Sequence, residues 1–138
     1  MKSNISENDL ADVSILLAQL SPGAKPVSLP ELQVVLADPN AHLAVERDET
    51  GKVIAMASIF VLHMFGGSEG IVEQIVVHEA HRGKGLGEKI MRKILEVAKR
   101  ERCRLVDLTS RPHRIAAHAL YEKLGFQKRE TNVYRLKF

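Results

Sequence analysis

The sequence predicts an α/β fold in which a mixed, mostly antiparallel sheet of about six to seven strands is flanked by about four helices. Three observations carry that prediction. From Ala41 to Val77, short apolar or alternating runs are separated by turn residues, which reads as an antiparallel meander. After Val77 the period changes. Beyond a glycine-rich stretch, Leu86, Ile90, Ile94 and Val97 recur at helical spacing, and Leu105 to Leu108 then forms a short apolar run. Strand, helix and strand in that order imply a right-handed crossover, and so one parallel pair inside the sheet.

The elements follow in order. Ile5 falls in a short first strand. Ser6 and Asp9 have the spacing of a helix start, with Ser6 as N-cap. Leu10, Val13, Leu16, Leu17 and Leu20 repeat at three and four, so an amphipathic helix runs to about residue 20. Ser21-Pro22-Gly23 stops it, and residues 21 to 30 carry three prolines, which marks a loop. A second short helix follows Pro30, with Leu32, Val35 and Leu36 inward, and ends at Asp38-Pro39-Asn40. His42 to Glu46 is a strand, Asp48 to Gly51 a hairpin turn, and Val53 to about His63 the next strand. Gly66 to Gly70 turns the chain, and Ile71 to Val77 returns. A long helix ends near Arg100. Leu105 to Leu108 is a buried strand. Pro112 favours a helix start; that helix runs to about Leu124, closed by Gly125. Ala116, Leu120 and Leu124 form its expected core stripe. Val133 to Phe138 alternates and is expected as a final strand.

With 138 residues the chain is expected to form one domain over 1–138. Apolar residues make up 45% and charged residues 27%, the balance of a folded soluble domain rather than a disordered chain. A net charge of +3 is too mild to argue for nucleic-acid binding, and six Phe and Tyr in all leave no cluster on which bases would stack. The single cysteine, Cys103, excludes an internal disulfide and a cysteine zinc cluster. It reads as a packed residue rather than a nucleophile. His78 and His81 lack a third ligand, so no metal is expected. No apolar run is long enough for a membrane span and no leader is apparent, which makes a cytoplasmic protein the default.

The stretch His81 to Ile90 organises the rest. Gly83, Gly85 and Gly87 alternate with Arg82, Lys84, Leu86 and Glu88 between a buried strand and a helix. A helix start presents free backbone N–H groups and the positive end of the helix dipole. Glycine lets a ligand approach that backbone closely, and two cations add charge. A phosphate or pyrophosphate is the natural occupant. Neither the dinucleotide fingerprint nor the P-loop pattern fits.

Arg82-x-x-Gly85-x-Gly87 resembles the acyl-CoA signature of the GNAT acetyltransferase superfamily. Val72-Glu73-Gln74-Ile75-Val76-Val77 resembles that family's strand before the signature, and Ala119-Leu120-Tyr121-Glu122-Lys123-Leu124-Gly125-Phe126 its later block. The resemblance covers residues 69 to 126. It implies a GNAT-like acyl-CoA N-acyltransferase fold and an acetyl-CoA-dependent N-acetyltransferase. Transfer would be direct, to a primary amine, with no acyl-enzyme. A small-molecule acceptor is favoured, with a protein N-terminus or lysine as the alternative. A silent acyl-CoA sensor on the same fold also remains open.

The resemblance also assigns roles. Tyr121 would protonate the departing sulfur, and Glu73 would take the amine's proton, directly or through water, unless it is only an exposed edge residue. Cofactor contacts fall on Ile75, Val76 and Val77, where strand backbone pairs with the pantetheine arm. They continue on Arg82, Gly83, Lys84, Gly85, Leu86, Gly87 and Glu88 at the diphosphate, and on Arg114 and Tyr121. A β-bulge near Ile75 would splay the sheet and re-aim these side chains. Arg114 stands where the family often has asparagine. Arg111, His113 and Arg114 either bind an acidic group of the substrate or are solvated cations at a helix start. His118 faces either the cleft or the surface. The expected partners are a small-molecule amine and a second copy in a possible homodimer, with no nucleic acid and no membrane.

Overall fold

The computed structural model describes residues 5–138. Among them the order is α1 (Leu10–Leu20), α2 (Leu29–Ala37), β1 (Ala41–Arg47), β2 (Val53–Leu62), β3 (Glu69–Val77), α3 (Leu86–Arg100), β4 (Leu105–Asp107) and α4 (Ile115–Lys123), with 3-10 turns at Glu7–Asp9 and Glu79–His81. The sheet runs β1-β2-β3-β4. β1, β2 and β3 are antiparallel neighbours, and β4 joins β3 in parallel, as the strand–helix–strand order requires.

Four strands are present among the described residues, not six or seven. The difference lies at the two ends. Ile5 is buried but belongs to no strand, and residues 1–4 lie outside the described part. Residues 133–138 alternate as expected yet pair with nothing that would make them a strand. Alternation states which face a strand would bury; it does not supply the neighbour that completes the ladder.

Helices cover both faces of the sheet. On one face Val13 and Leu16 of α1 and Leu32 of α2 pack with Leu43, Val45, Val53, Met56 and Val76. On the other, Ile90, Met91, Ile94, Val97 and Ala98 of α3 pack on Ala44, Ala55, Ala57, Ile59 and Val72. The α3 spacing, at i, i+1, i+4, i+7 and i+8, is one wide helical stripe, and the alanines of β1 and β2 let it approach closely.

Polar side chains pin α1 to the sheet. Asp9 takes a two-pronged contact from Arg47, at 2.7 and 2.9 Å, and Asp12 accepts from the Val53 N–H at 2.9 Å. The Asp9 carboxyl is held below its ordinary range by the Arg47 hydrogen bond, against the opposing effect of burial. Ser6 N–H donates to Asp9 at 2.9 Å, so the predicted cap pair is present. α2 begins one residue before Pro30, at Leu29, because Ser28 and Glu31 form the reciprocal cap, Ser28 N–H to Glu31 at 2.8 Å and Glu31 N–H to Ser28 at 3.3 Å.

Two further expectations shift. α4 begins at Ile115 rather than at Pro112, since residues 112–113 form a turn. Its inward stripe is Ala117, Leu120, Tyr121 and Leu124, half-buried, whereas Ala116 is exposed. Leu120 and Leu124 of the expected stripe face inward, and Ala116, in the first turn, does not. No helix among the described residues is long and apolar enough to cross a membrane.

Candidate active site

The site begins with an irregularity in β3. Met56 pairs with Val76 and Ser58 with Glu73, so Gln74 and Ile75 together oppose Ala57. That is the β-bulge expected near Ile75. Gln74 has φ +56°, a left-handed conformation that costs a non-glycine residue on the order of 1–2 kcal/mol. Ser58 holds it in place. Its hydroxyl is fully buried, donates to the Glu73 carbonyl at 2.9 Å and lies 3.2 Å from the Gln74 side-chain oxygen.

The bulge changes which way the strand faces. Val72 packs on the α3 side and Val76 on the α1 side, although residues four apart in a regular strand share a face. Ile75 and Val77 now lean on the α3 cluster. Glu73 and Gln74 are left exposed, at the wall of a cleft of about 440 Å³. Simple alternation would have separated Glu73 from Gln74; the inserted residue brings both to the cleft.

The far wall comes from the chain after β4. Thr109, Ser110 and Arg111 of the loop, Arg114 and Tyr121 of α4, and Val133 and Arg135 of the tail line it, and Leu20 closes the end of α1. Arg114 donates to the Leu20 carbonyl at 3.3 Å, which ties the start of α4 to the end of α1. Tyr121 is half-buried, its ring edge-on to Phe126 with centroids 6.0 Å apart. Burial pushes its hydroxyl above the ordinary tyrosine range, and the nearby Arg114 guanidinium pulls the other way. The net result is a phenol that stays protonated at neutral pH.

Beside this cleft lies a shelf of backbone. After β3 the Glu79 N–H donates to Gln19 of α1 at 2.9 Å, and Arg82 folds its guanidinium back onto the Val77 carbonyl at 3.1 Å. Among the described residues, the N–H groups of Arg82, Gly83, Lys84 and Gly85 donate to no group of the chain. Gly85 caps α3 with φ +77°, and a Cβ there would meet nothing within 4 Å. The positive φ explains the glycine; the open space above it leaves the N–H groups accessible.

Shelf and cleft are locked together. A Cβ on Gly87 would stand 3.4 Å from the side chain of Leu120, the neighbour of Tyr121, so α3 and α4 are in close contact here. Glu88 binds Arg92 of its own helix at 2.8 Å and Lys123 of α4 at 3.0 Å. The hydrogen bonds from Arg92 and Lys123 hold the Glu88 carboxyl below its usual range. Its side chain is therefore a strut between the two helices, and what Glu88 offers at the helix start is its backbone N–H.

The structure thus brings Glu73, Ile75, Arg114 and Tyr121 to one cleft. Arg82, Gly83, Lys84, Gly85, Leu86, Gly87 and Glu88 stand on the adjacent shelf. Val76 is buried and Val77 half-buried, both paired with β2, and neither lines the cleft. His118 is half-buried and held 3.1 Å from Ser110, and does not line the cleft. Ser58, Gln74, Thr109 and Arg135 were not singled out from sequence. Ser58 had a signal, as the one polar residue in the apolar run Val53–Leu62. Arg135 had none beyond its place in the expected final strand. No group of three or more metal-binding side chains occurs among the described residues.

Comparison with known proteins bears on this arrangement. The model of the acetyltransferase (GNAT) family matches residues 13–126. Glucosamine 6-phosphate N-acetyltransferase 1 of Oryza sativa subsp. japonica is 33% identical over 138 residues, 91% of this chain and 81% of that protein. A second rice protein of similar description is 38% identical over 78 residues, 54% of this chain and 45% of its own length. The structure of glucosamine-6-phosphate N-acetyltransferase from Arabidopsis thaliana superposes with a TM-score of 0.82 at 25% identity, over 96% of this chain and 94% of that one.

Proposed function

The chain belongs to the GNAT acetyltransferase family, and from that premise we propose that it moves an acetyl group from acetyl-CoA directly to the primary amine of a small molecule. The observation that carries the reading is the juxtaposition of a burial-protected tyrosine hydroxyl with a bulged strand, both clamped to a shelf of unbonded N–H groups.

The shelf fits the cosubstrate. The free N–H groups at residues 82–85, the start of α3 and the Lys84 ammonium suit a diphosphate. β4 pairs with β3 only from Glu69 to Ile71, so the β3 edge at Ile75 and Val76 has no strand beside it among the described residues and suits the amides of a pantetheine arm, while the Val77 carbonyl would have to give up Arg82 to join them. When bound, acetyl-CoA supplies a thioester whose acyl carbon accepts an amine.

The chain's own residues then face two proton problems. An amine of pKa about 10 is almost fully protonated at neutral pH. Glu73, at the cleft wall, takes that proton directly or through a water. Tyr121 holds a proton for the leaving sulfur, and its raised pKa keeps that proton in place until it is needed. Cys103 plays no part: it packs on the α3 cluster, and burial raises its thiol pKa, the reverse of what activates a nucleophile.

The acceptor reading rests on charge and likeness. Arg111, Arg114 and Arg135 line the cleft against one carboxylate, Glu73, which suits an amine carrying an acidic group. The rice relative named for glucosamine 6-phosphate points to an amino-sugar phosphate. The test is acetylation of a panel: glucosamine 6-phosphate, glucosamine, other small amines and peptides with free N-termini. Turnover highest with the phosphorylated amino sugar supports the proposal. Turnover confined to peptides would make this a protein acetyltransferase, and tight CoA binding with no acetylated amine would make it a sensor.

A further inference from the structure

Tyr121 holds its proton well, and that is also its difficulty. Burial raises the hydroxyl above the ordinary tyrosine range, so a phenolate left behind by proton transfer is disfavoured. A thiol, of pKa about 8.5, is the stronger acid of the two. Passing a proton from Tyr121 to a departing thiolate therefore runs uphill, unless positive charge stands near the hydroxyl.

The charged groups at the cleft are Glu73 of β3, Arg111 of the loop after β4, Arg114 at the start of α4 and Arg135 of the tail. Glu88 of α3, which faces α4, is already paired with Arg92 and Lys123, and His118 is turned to Ser110. Arg114 differs from the other cations in its placement. It caps α4 seven residues, about two turns, ahead of Tyr121, so the two share a helix face. Helical side chains lean toward the N-terminus, which turns the Tyr121 ring back toward Arg114. The guanidinium is held by the Leu20 carbonyl at 3.3 Å and, among the described residues, pairs with no carboxylate. Its charge pulls the Tyr121 hydroxyl down, against the larger effect of burial. A neutral amide at this position would supply no such field.

Resting on the acetyl-transfer reading above, we propose that Arg114 is a positioning residue that makes Tyr121 an effective acid, by stabilising the phenolate as its proton passes to sulfur. The acidic group of the acceptor is then left to Arg111 and Arg135. The step balances. As the C–S bond of the tetrahedral adduct breaks, its electron pair goes to sulfur and the Tyr121 proton follows. The negative charge comes to rest on the Tyr121 oxygen, in the field of the guanidinium. The nitrogen, which gave its first proton to Glu73, gives its second through water to the phenolate, and the hydroxyl is restored. The tie to Leu20 holds the guanidinium at the end of α1, so the charge is in place before the acceptor arrives.

Ultraviolet titration tests the coupling without any turnover. The chain has two tyrosines and no tryptophan, and Tyr134 is exposed and does not line the cleft. In a Tyr134→Phe background the phenolate absorbance therefore reports Tyr121 alone. Arg114→Gln removes the charge but keeps a donor for the Leu20 carbonyl, and should move that titration to higher pH. Arg114→Lys keeps the charge and should leave it near the parent. With glucosamine 6-phosphate, Arg114→Gln should lower kcat about 10-fold at nearly constant KM for both substrates, and Arg114→Lys should recover most of the loss. An unmoved titration in Arg114→Gln overturns the proposal. So does a lysine variant that behaves like the glutamine one, which would reduce Arg114 to a tie between α1 and α4. A higher KM for the amino sugar, or for acetyl-CoA, at unchanged kcat would make Arg114 a substrate contact and overturn it too. If the wild type acetylates no amine while the titration still responds to Arg114, the acetyl-transfer reading falls and the coupling of the two residues stands.

Discussion

The molecule divides near residue 100 into two unlike halves. Among the described residues, all the buried apolar ones lie at or before Ala98, including Leu16, Ile59, Ile90, Met91 and Ile94, at most 1% exposed. From residue 99 onward nothing is fully buried. Yet the cleft needs both halves: the bulge and the glycine shelf come from the first, Tyr121, Arg111 and Arg114 from the second. The difference suggests a division of labour. On the proposed function, a densely packed scaffold would fix the backbone that holds the cosubstrate, and a loosely packed flap would carry the proposed proton donor and acceptor contacts. Stability and activity should therefore respond to different substitutions.

The sharpest test of that division compares two truncations. Ile94→Ala opens a cavity between α3 and the sheet and should lower stability by about 3–4 kcal/mol. Leu124→Ala, on a half-buried helix end, should cost less than about 1.5 kcal/mol, because its surroundings are already partly hydrated. Chemical denaturation of both variants checks the pair. Equal losses would mean that the second half is packed as tightly as the first, and the contrast would fail.

Tyr121→Phe probes the other side of the contrast. Removing the hydroxyl of a general acid should lower kcat by about 100-fold, with stability and CoA affinity nearly unchanged. The pH profile carries the sign. Burial disfavours the phenolate, so the protonated, active form persists past the ordinary tyrosine range and activity falls only on a far alkaline limb. That limb should vanish in the phenylalanine variant. Unchanged kcat would remove Tyr121 from the chemistry and leave the flap a binding surface only.

The two halves were also unequally legible from sequence. α1 and α3 each carry a strong period, because each buries one face, and β2 reads as a near-continuous apolar run, because it is covered on both faces; burial is what sequence pattern records. The glycine shelf was legible too, since positive φ at Gly83 and Gly85 admits few other residues. Beyond residue 100 the pattern weakens because the burial does. The start of α4 and the role of Ala116 both came out differently. The final strand was read from an alternation that is real but has no partner among the described residues. Arg135 could not be assigned to the cleft, since its position depends on where an unpaired segment runs. Glu73 and Gln74 reached one wall only through the bulge, which period-two reasoning by itself would have missed.

The bulge offers the smallest effect and the finest separation of the halves, because it joins them. Ser58 is the buried hydroxyl that donates to the Glu73 carbonyl and lies beside the Gln74 side-chain oxygen at a strained backbone. Ser58→Ala removes one hydrogen bond and should lower stability by about 1 kcal/mol. If the bulge is what frees the strand for the pantetheine arm, KM for acetyl-CoA should rise several-fold at nearly constant kcat, since Tyr121 is untouched. Ser58→Thr keeps the hydroxyl but adds a methyl to a fully buried site, so it should restore KM more than stability. A stability loss in Ser58→Ala without any change in KM would mean that the bulge stands without its serine, held instead by the packing of Ile75 and Val77 against α3.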